Sequence, residues 1–231
     1  MDRCIVHSER GVTIVGAGEL LPAVLDEALI HAPLLVAADG GAARALALGH
    51  DLAAVIGDLD SLEATTRAAL PPGRVHRIAD QETTDFDKCL RTIRAPLVLA
   101  VGFTGARLDH ELAAFSTLLQ HAGRPCLLIG PEDVAFVAPL DLRLALAPGT
   151  RLSLFPMGEV TGESRGLRWP IEGIRFAPGG RIGTSNEAAA PEVALSFSAR
   201  RMLVFLPRPA LGSAIRALAP GYAAQAAARG E

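Results

Sequence analysis

The sequence predicts an α/β domain with a mostly parallel sheet, followed by a small antiparallel β-sandwich or barrel. Three observations carry that prediction. Continuous apolar runs alternate with helical-period segments through the first half, as strands buried on both faces of a parallel sheet require. Beyond about Pro139 the texture shifts to short alternating segments between Gly/Pro-rich turns, the pattern of a small antiparallel domain. The 231 residues are 50% hydrophobic, enough for one large core or two small ones. The reading divides the chain into an α/β domain over 1–138, a β-domain over 139–209 and an Ala-rich tail over 210–231, either a short helix or a frayed end.

Taken in order, Val12 to Val15 is a β-branched strand ending at Gly16-Ala-Gly18. Leu20 to Ile30 carries apolar residues at helical spacing, and Leu34 to Ala38 is a buried strand ending at Asp39-Gly-Gly41. Ala42 to Leu48 reads as helix, Ala53 to Ile56 as strand and Gly57 to Ser61 as a polar turn. Thr84 to Ile93 is helical, Leu97 to Val101 a strand, Asp109 to His121 a helix and Cys126 to Ile129 a further strand. This alternation makes the first domain Rossmann-like. Arg151 to Phe155, Val193 to Phe197 and Met202 to Leu206 are strands of the second.

Composition excludes several function classes. A net charge of −3 and a pI near 6.1 leave no basic excess for coating nucleic-acid phosphates. Small phosphorylated ligands need only a few placed cations, and Lys88 is the only lysine. Three scattered cysteines without a C-x-x-C pair argue against a disulfide framework or zinc site and fit a reducing compartment. The polar N-terminus is unlike a signal peptide, and no apolar run reaches the ~18 residues of a membrane span. A cytoplasmic enzyme of small molecules is the expectation.

Carboxylates gather at the predicted carboxyl ends of strands, where open α/β sheets bind ligands. Asp39 ends one strand, and Asp58 and Asp60 follow another. Two residues apart on an extended segment, the latter pair would point the same way and offer hard oxygens to Mg²⁺. Gly57-Asp-Leu-Asp60 also reads as a plain polar turn. Thr84 and Asp87 are spaced as a capping box, so Gln81 to Lys88 is explained in part as a helix start with Phe86, Leu90 and Ile93 buried. That helix start also attracts phosphate, with Asp85 and Lys88 on one face. Lys88 is then a phosphate contact or a solvated helix residue. Gly102 to His110 offers a second strand-to-helix turn, where Arg107 presents a planar fork. In the same segment Asp109 reads equally as an N-cap, and His110 as an acid/base or a structural histidine. No P-loop motif is present, and Gly16-Ala-Gly18 lacks the third glycine of a dinucleotide fingerprint, with Leu21 in its place.

The ordered set Asp39-Gly-Gly41, Gly57-Asp-Leu-Asp-Ser61, Asp80 to Lys88, Gly105-Ala-Arg-Leu-Asp-His110, Gly166-Leu-Arg-Trp169 and Thr184-Ser-Asn186 resembles the thiamin pyrophosphokinase family. The resemblance implies transfer of the terminal pyrophosphoryl group of ATP to the hydroxyl of thiamin, giving thiamin diphosphate and AMP, with Mg²⁺ and a homodimer. It implies Asp58, Asp60 and Asp85 as metal and catalytic carboxylates. It assigns Asp39, Gln81, Thr84, Lys88, Arg107, Asp109, Ser185 and Asn186 to the ATP side, and Trp169 with Ser185 to thiamin. A pyrophosphokinase with another alcohol acceptor, an NAD-linked oxidoreductase using the Gly16 turn and a non-catalytic nucleotide-binding module are the competing readings.

Overall fold

The computed structural model describes residues 3–229. Contacts divide them into two compact units, one of 3–117 with 128–131 and one of 118–127 with 132–229. No helix among the described residues is long and apolar enough to cross a membrane.

The first unit runs β1 (Val6–His7), β2 (Val12–Val15), α1 (Pro22–His31), β3 (Leu34–Ala38), α2 (Gly41–Ala47), β4 (Ala54–Gly57), α3 (Ala64–Ala69), β5 (Val75–Arg77), α4 (Asp85–Thr92), β6 (Ile93–Arg94) and β7 (Val98–Val101). Helix α5 (Leu108–Gln120) and strand β8 (Cys126–Ile129) cross the division of the chain. Strands β7, β2, β3, β4 and β5 lie side by side in that order, every pair parallel. Every residue of β2, β4 and β7 is buried, which is why these runs are continuously apolar rather than alternating. Apart from Thr13 in β2, whose buried hydroxyl donates to the Ala32 carbonyl at 2.6 Å, they hold no polar side chain. Gly41, at the start of α2, lets that helix press onto β2, since a Cβ there would stand 2.1 Å from the Val15 carbonyl oxygen.

The second unit contains β9 (Asp133–Val137), β10 (Asp141–Ala145), β11 (Arg151–Pro156), β12 (Val160–Arg165), β13 (Arg175–Phe176), β14 (Gly183–Glu187), β15 (Glu192–Phe197), β16 (Met202–Pro207), α6 (Leu211–Leu218) and α7 (Pro220–Arg229). Strand β9 belongs to this unit, pairing antiparallel with β16, although the 1–138 reading put it in the first. Two antiparallel arrangements result, β14-β11-β16-β9 and β10-β15-β12-β13. Buried and more exposed residues alternate along β10 and β15, as half-buried strands demand. The Ala-rich tail is helical through α7, and its last two positions lie outside the described residues. Helix α6 is tied to β10 by the Ser213 hydroxyl, which donates to the Ala145 carbonyl at 2.6 Å.

Candidate active site

The carboxyl ends of β2, β3, β4 and β7 open onto a cleft of about 470 Å³, within the size range of small-ligand sites. Because β2 has β3 on one side and β7 on the other, the order of strands reverses there, the point at which open α/β sheets hold ligands. The turn Gly16-Ala-Gly18 forms one wall. Both of its glycine amides are already committed: Gly16 donates to the Val101 carbonyl at 2.8 Å and Gly18 to that of Gly102 at 2.7 Å. A Cβ on either glycine would stand 2.5–2.6 Å from the Gly102 carbonyl oxygen. These glycines therefore let two loops touch, and the dinucleotide reading loses both glycine amides as anion donors.

Asp39 directly follows β3 and has a left-handed φ of 40°. Its carboxylate is buried, with Oδ2 accepting from the Ser61 amide at 3.1 Å and Oδ1 without a hydrogen-bond partner. Burial pushes its pKa up to about 6, and the charges of Asp85, Asp60 and Asp58 push the same way against the Ser61 hydrogen bond. Asp58 and Asp60 converge as the sequence implies but by another route. They are not on a strand: Leu59 between them takes φ 66°, and the Asp60 amide donates to Asp58 Oδ1 at 3.2 Å. Such left-handed non-glycine residues cost roughly 1–3 kcal/mol each and gather at functional sites. One oxygen each from Asp39, Asp58 and Asp60 lies within 4.8 Å of the other two. Three carboxylates, one with a buried oxygen left unpaired, are a donor set that a hard divalent cation satisfies.

Gly57 makes this approach possible. A Cβ there would stand 2.8 Å from Asp39 Cβ and 3.1 Å from Asp85 Oδ1. Asp85 begins α4, capped by the Thr84 hydroxyl, which accepts from the Asp87 amide at 3.2 Å; the capping role of Thr84 is thus observed. Asp85 itself stands beside the metal-spaced trio, its Oδ1 receiving the Asp58 amide at 3.3 Å and the Lys88 ammonium at 2.9 Å. Lys88 also reaches Asp58 Oδ2 at 3.4 Å, and the Gln81 amide donates to that same oxygen at 3.1 Å. The solvated-helix reading of Lys88 is overturned, because its side chain is only 1% exposed. It lies on the inward face of α4, where burial alone would lower its pKa, but hydrogen bonds and charge from Asp85 and Asp58 raise it. Burial likewise opposes ionisation of Asp58, yet the Asp60 amide and Lys88 hold its pKa below the ordinary value.

The Gly102–His110 segment forms another part of the cleft. Phe103 packs on Phe86 with ring centroids 4.4 Å apart, and the Gly105 amide is held by Glu111 Oε2 at 3.1 Å. Arg107 lines the cleft with its fork on Asp109, Nε to Oδ1 at 3.1 Å and Nη2 to Oδ2 at 2.6 Å. Both side chains are about two-thirds exposed, so this ion pair is weak and the fork is available for exchange. Asp109 lies inside α5 rather than at its N-cap, and His110 is exposed rather than a buried structural histidine.

Trp169, Ser185 and Asn186 lie in the second unit. Asn186 is buried and its amide is spent on the main chain. Oδ1 accepts from the amides of Trp169 (3.2 Å) and Glu187 (2.8 Å), while Nδ2 donates to the Trp169 carbonyl at 2.7 Å. Its side chain fixes Trp169 and is not free for a nucleotide. Trp169 is half exposed, with the Arg168 guanidinium 4.9 Å from the ring centroid, and the exposed Ser185 takes φ 62°. Sequence reasoning missed Gly57 and Ser61 as builders of the carboxylate cluster. A glycine directly before D-x-D at a strand end was the available signal for the first; a backbone donor such as Ser61 leaves none.

Two models of one protein family match this chain. The catalytic-domain model of thiamin pyrophosphokinase matches residues 25–128, and the vitamin B1 binding domain model of the same family matches 140–202. Thiamine pyrophosphokinase 1 of Arabidopsis thaliana is 27% identical over 190 residues, spanning 68% of this chain and 71% of its own. Thiamine pyrophosphokinase 2 of Oryza sativa subsp. japonica is 25% identical over 221 residues, spanning 80% and 82%. The crystal structure of thiamin pyrophosphokinase from Geobacillus thermodenitrificans matches with TM-score 0.70 at 25% identity, over 85% of this chain and 96% of its own. The yeast thiamin pyrophosphokinase structure, at 18% identity and TM-score 0.71 over 88% and 89%, shares the fold. With both family domains matched in order and together spanning more than half the sequence, the chain belongs to the thiamin pyrophosphokinase family.

Proposed function

We propose that this enzyme transfers the terminal pyrophosphoryl group of Mg-ATP to the hydroxyl of thiamin, giving thiamin diphosphate and AMP. One observation carries the reading: Asp39, Asp58 and Asp60 converge beyond the strand ends of a chain matching both domain models of the family. Attack on the β-phosphorus with AMP leaving builds negative charge on the phosphate oxygens, so positioning and electrostatic stabilisation supply most of the catalysis. Asp39, Asp58 and Asp60 would hold Mg²⁺, which supplies positive charge to those oxygens when bound. Arg107 adds a guanidinium fork once it exchanges Asp109 for phosphate. Gln81 and Lys88 fix the orientation of Asp58, while Asp85 braces its amide. Trp169 offers an aromatic face for a thiamin ring, with Ser185 directly preceding the Asn186 that clamps it.

We further propose a homodimer, on the family resemblance, and a cytoplasmic location, on three free cysteines. A fully active monomer in light scattering would overturn the first. The activity is tested by AMP release with ATP, Mg²⁺ and thiamin against a panel of other alcohols. Thiamin-dependent AMP release is expected, abolished by chelation and lowered by orders of magnitude in Asp58→Asn. Release with a different alcohol alone would move the enzyme to another acceptor.

A further inference from the structure

The one lysine of this chain sits where a buried cation is expensive. Its side chain is 1% exposed on the inward face of α4, and its ammonium spans two carboxylates on separate segments, Asp85 Oδ1 at 2.9 Å and Asp58 Oδ2 at 3.4 Å. Asp85 Oδ1 is in turn the acceptor of the Asp58 amide. Lysine, Asp85 and Asp58 thus close a ring that fixes both the main chain and the side chain of Asp58. Asp58 in turn lies within 4.8 Å of Asp39 and Asp60, so the ammonium is tied to one corner of the carboxylate cluster. A buried ion of this kind persists only when paired, because desolvation otherwise expels or neutralises it.

We propose that Lys88 is a positioning residue, the internal counter-ion that, together with Asp85, orients Asp58 for a divalent cation, rather than a direct contact of the nucleotide phosphates. The proposal rests on the Mg-dependent reading of the site above and deepens it. A point-charge ammonium with three donors can hold oxygens from two directions at once, which suits this geometry better than a planar fork. Partners standing behind metal-holding side chains typically contribute 10–100-fold in metal affinity or activity.

The test uses the full-length protein and Mn²⁺ as probe, titrated calorimetrically without nucleotide, with kinetics alongside. Lys88→Met should weaken Mn²⁺ binding at least tenfold and lower kcat 10–100-fold, while KM for ATP at saturating metal stays within threefold of wild type. The melting temperature should fall by roughly 5–15 °C, since one partner of a buried pair is lost. Lys88→Met/Asp85→Asn removes the stranded charge. It should recover part of the melting temperature without recovering Mn²⁺ affinity, and it serves as the test protein if the single variant does not fold. Unchanged or tighter Mn²⁺ binding, or a rise in KM for ATP as the main effect, overturns the proposal and returns Lys88 to phosphate contact or simple charge balance. Failure of the wild-type protein to bind Mn²⁺ or to release AMP would instead overturn the functional reading beneath it.

Discussion

Replacing Gly57 by alanine adds a single methyl group at the end of β4, where the metal-spaced carboxylates are brought together. The added Cβ would stand 2.8 Å from Asp39 Cβ and 3.1 Å from Asp85 Oδ1, closer than carbon neighbours settle, so one or both aspartates must shift. Overpacking of this kind costs about 1–3 kcal/mol. Gly57 has no left-handed φ, so alanine also recovers about 0.5–1 kcal/mol of strand backbone entropy. The net loss is roughly 1–2 kcal/mol, or about 2–8 °C in melting temperature for a chain of this size. The functional cost should be larger than the stability cost. Donor oxygens within 4.8 Å are moved by several tenths of an ångström, and at least a tenfold loss of Mn²⁺ affinity and of kcat is expected. Gly221→Ala is the control, since a Cβ there meets nothing within 4 Å and a helical alanine should raise stability slightly. Thermal melts, Mn²⁺ titration and AMP-release kinetics read the three quantities. If Gly57→Ala binds Mn²⁺ and turns over like wild type, the closeness of Gly57 to Asp39 and Asp85 does not determine the site.

Two further outcomes follow from Asp39 and Asn186. The native pKa of Asp39 is raised to about 6 from 3.8, so between those values the metal-free native protein retains a proton that the unfolded chain has lost. Its contribution to stability is complete below about pH 3.8 and gone once the pH has risen through 6. Metal binding needs that proton removed, so Mn²⁺ affinity should fall about tenfold per pH unit below 6, and Asp39→Asn should bind more weakly with that dependence flattened; calorimetry at pH 5 and 7.5 decides it. Asn186→Asp replaces an amide donor by an oxygen facing the Trp169 carbonyl, and should cost roughly 1–3 kcal/mol. Because Trp169 is the only tryptophan, a red-shifted emission reports its release directly, and an unshifted spectrum with an unchanged melt would refute the clamp.

The parallel sheet was legible because β2, β3, β4 and β7 are buried runs with no competing period, and their apolar character is dictated from both faces. The antiparallel second unit was legible from alternation, as in β15. Helix α3 was not, because none of its residues is buried and Ala-Thr-Thr-Arg-Ala-Ala carries no apolar stripe. Strand β5 is three residues long and holds no fully buried side chain, too short for any period to register. In the site, residue identities along the chain indicated Asp58, Asp60, Asp85 and Lys88, but which oxygen meets which cation depends on tertiary distance. The sequence could not show that Lys88 points inward, since a lysine on a helix is normally solvated. Nor could it show that Leu59 adopts a left-handed φ, because leucine carries no such preference.

The reversal of strand order at β2 also bears on how the site comes into existence. Its floor is set by the pairing of Val12–Val15 with Val98–Val101, segments separated by nearly the whole first unit. Its carboxylates arrive from the ends of β3 and β4 and the start of α4. Pairings of such high sequence separation carry the largest loop-closure entropy and govern folding rates. The cleft is therefore complete only once this long-range pairing has been made. A nascent chain released before β7 emerges holds Asp39, Asp58, Asp60 and Lys88 but lacks the strand that closes the cleft.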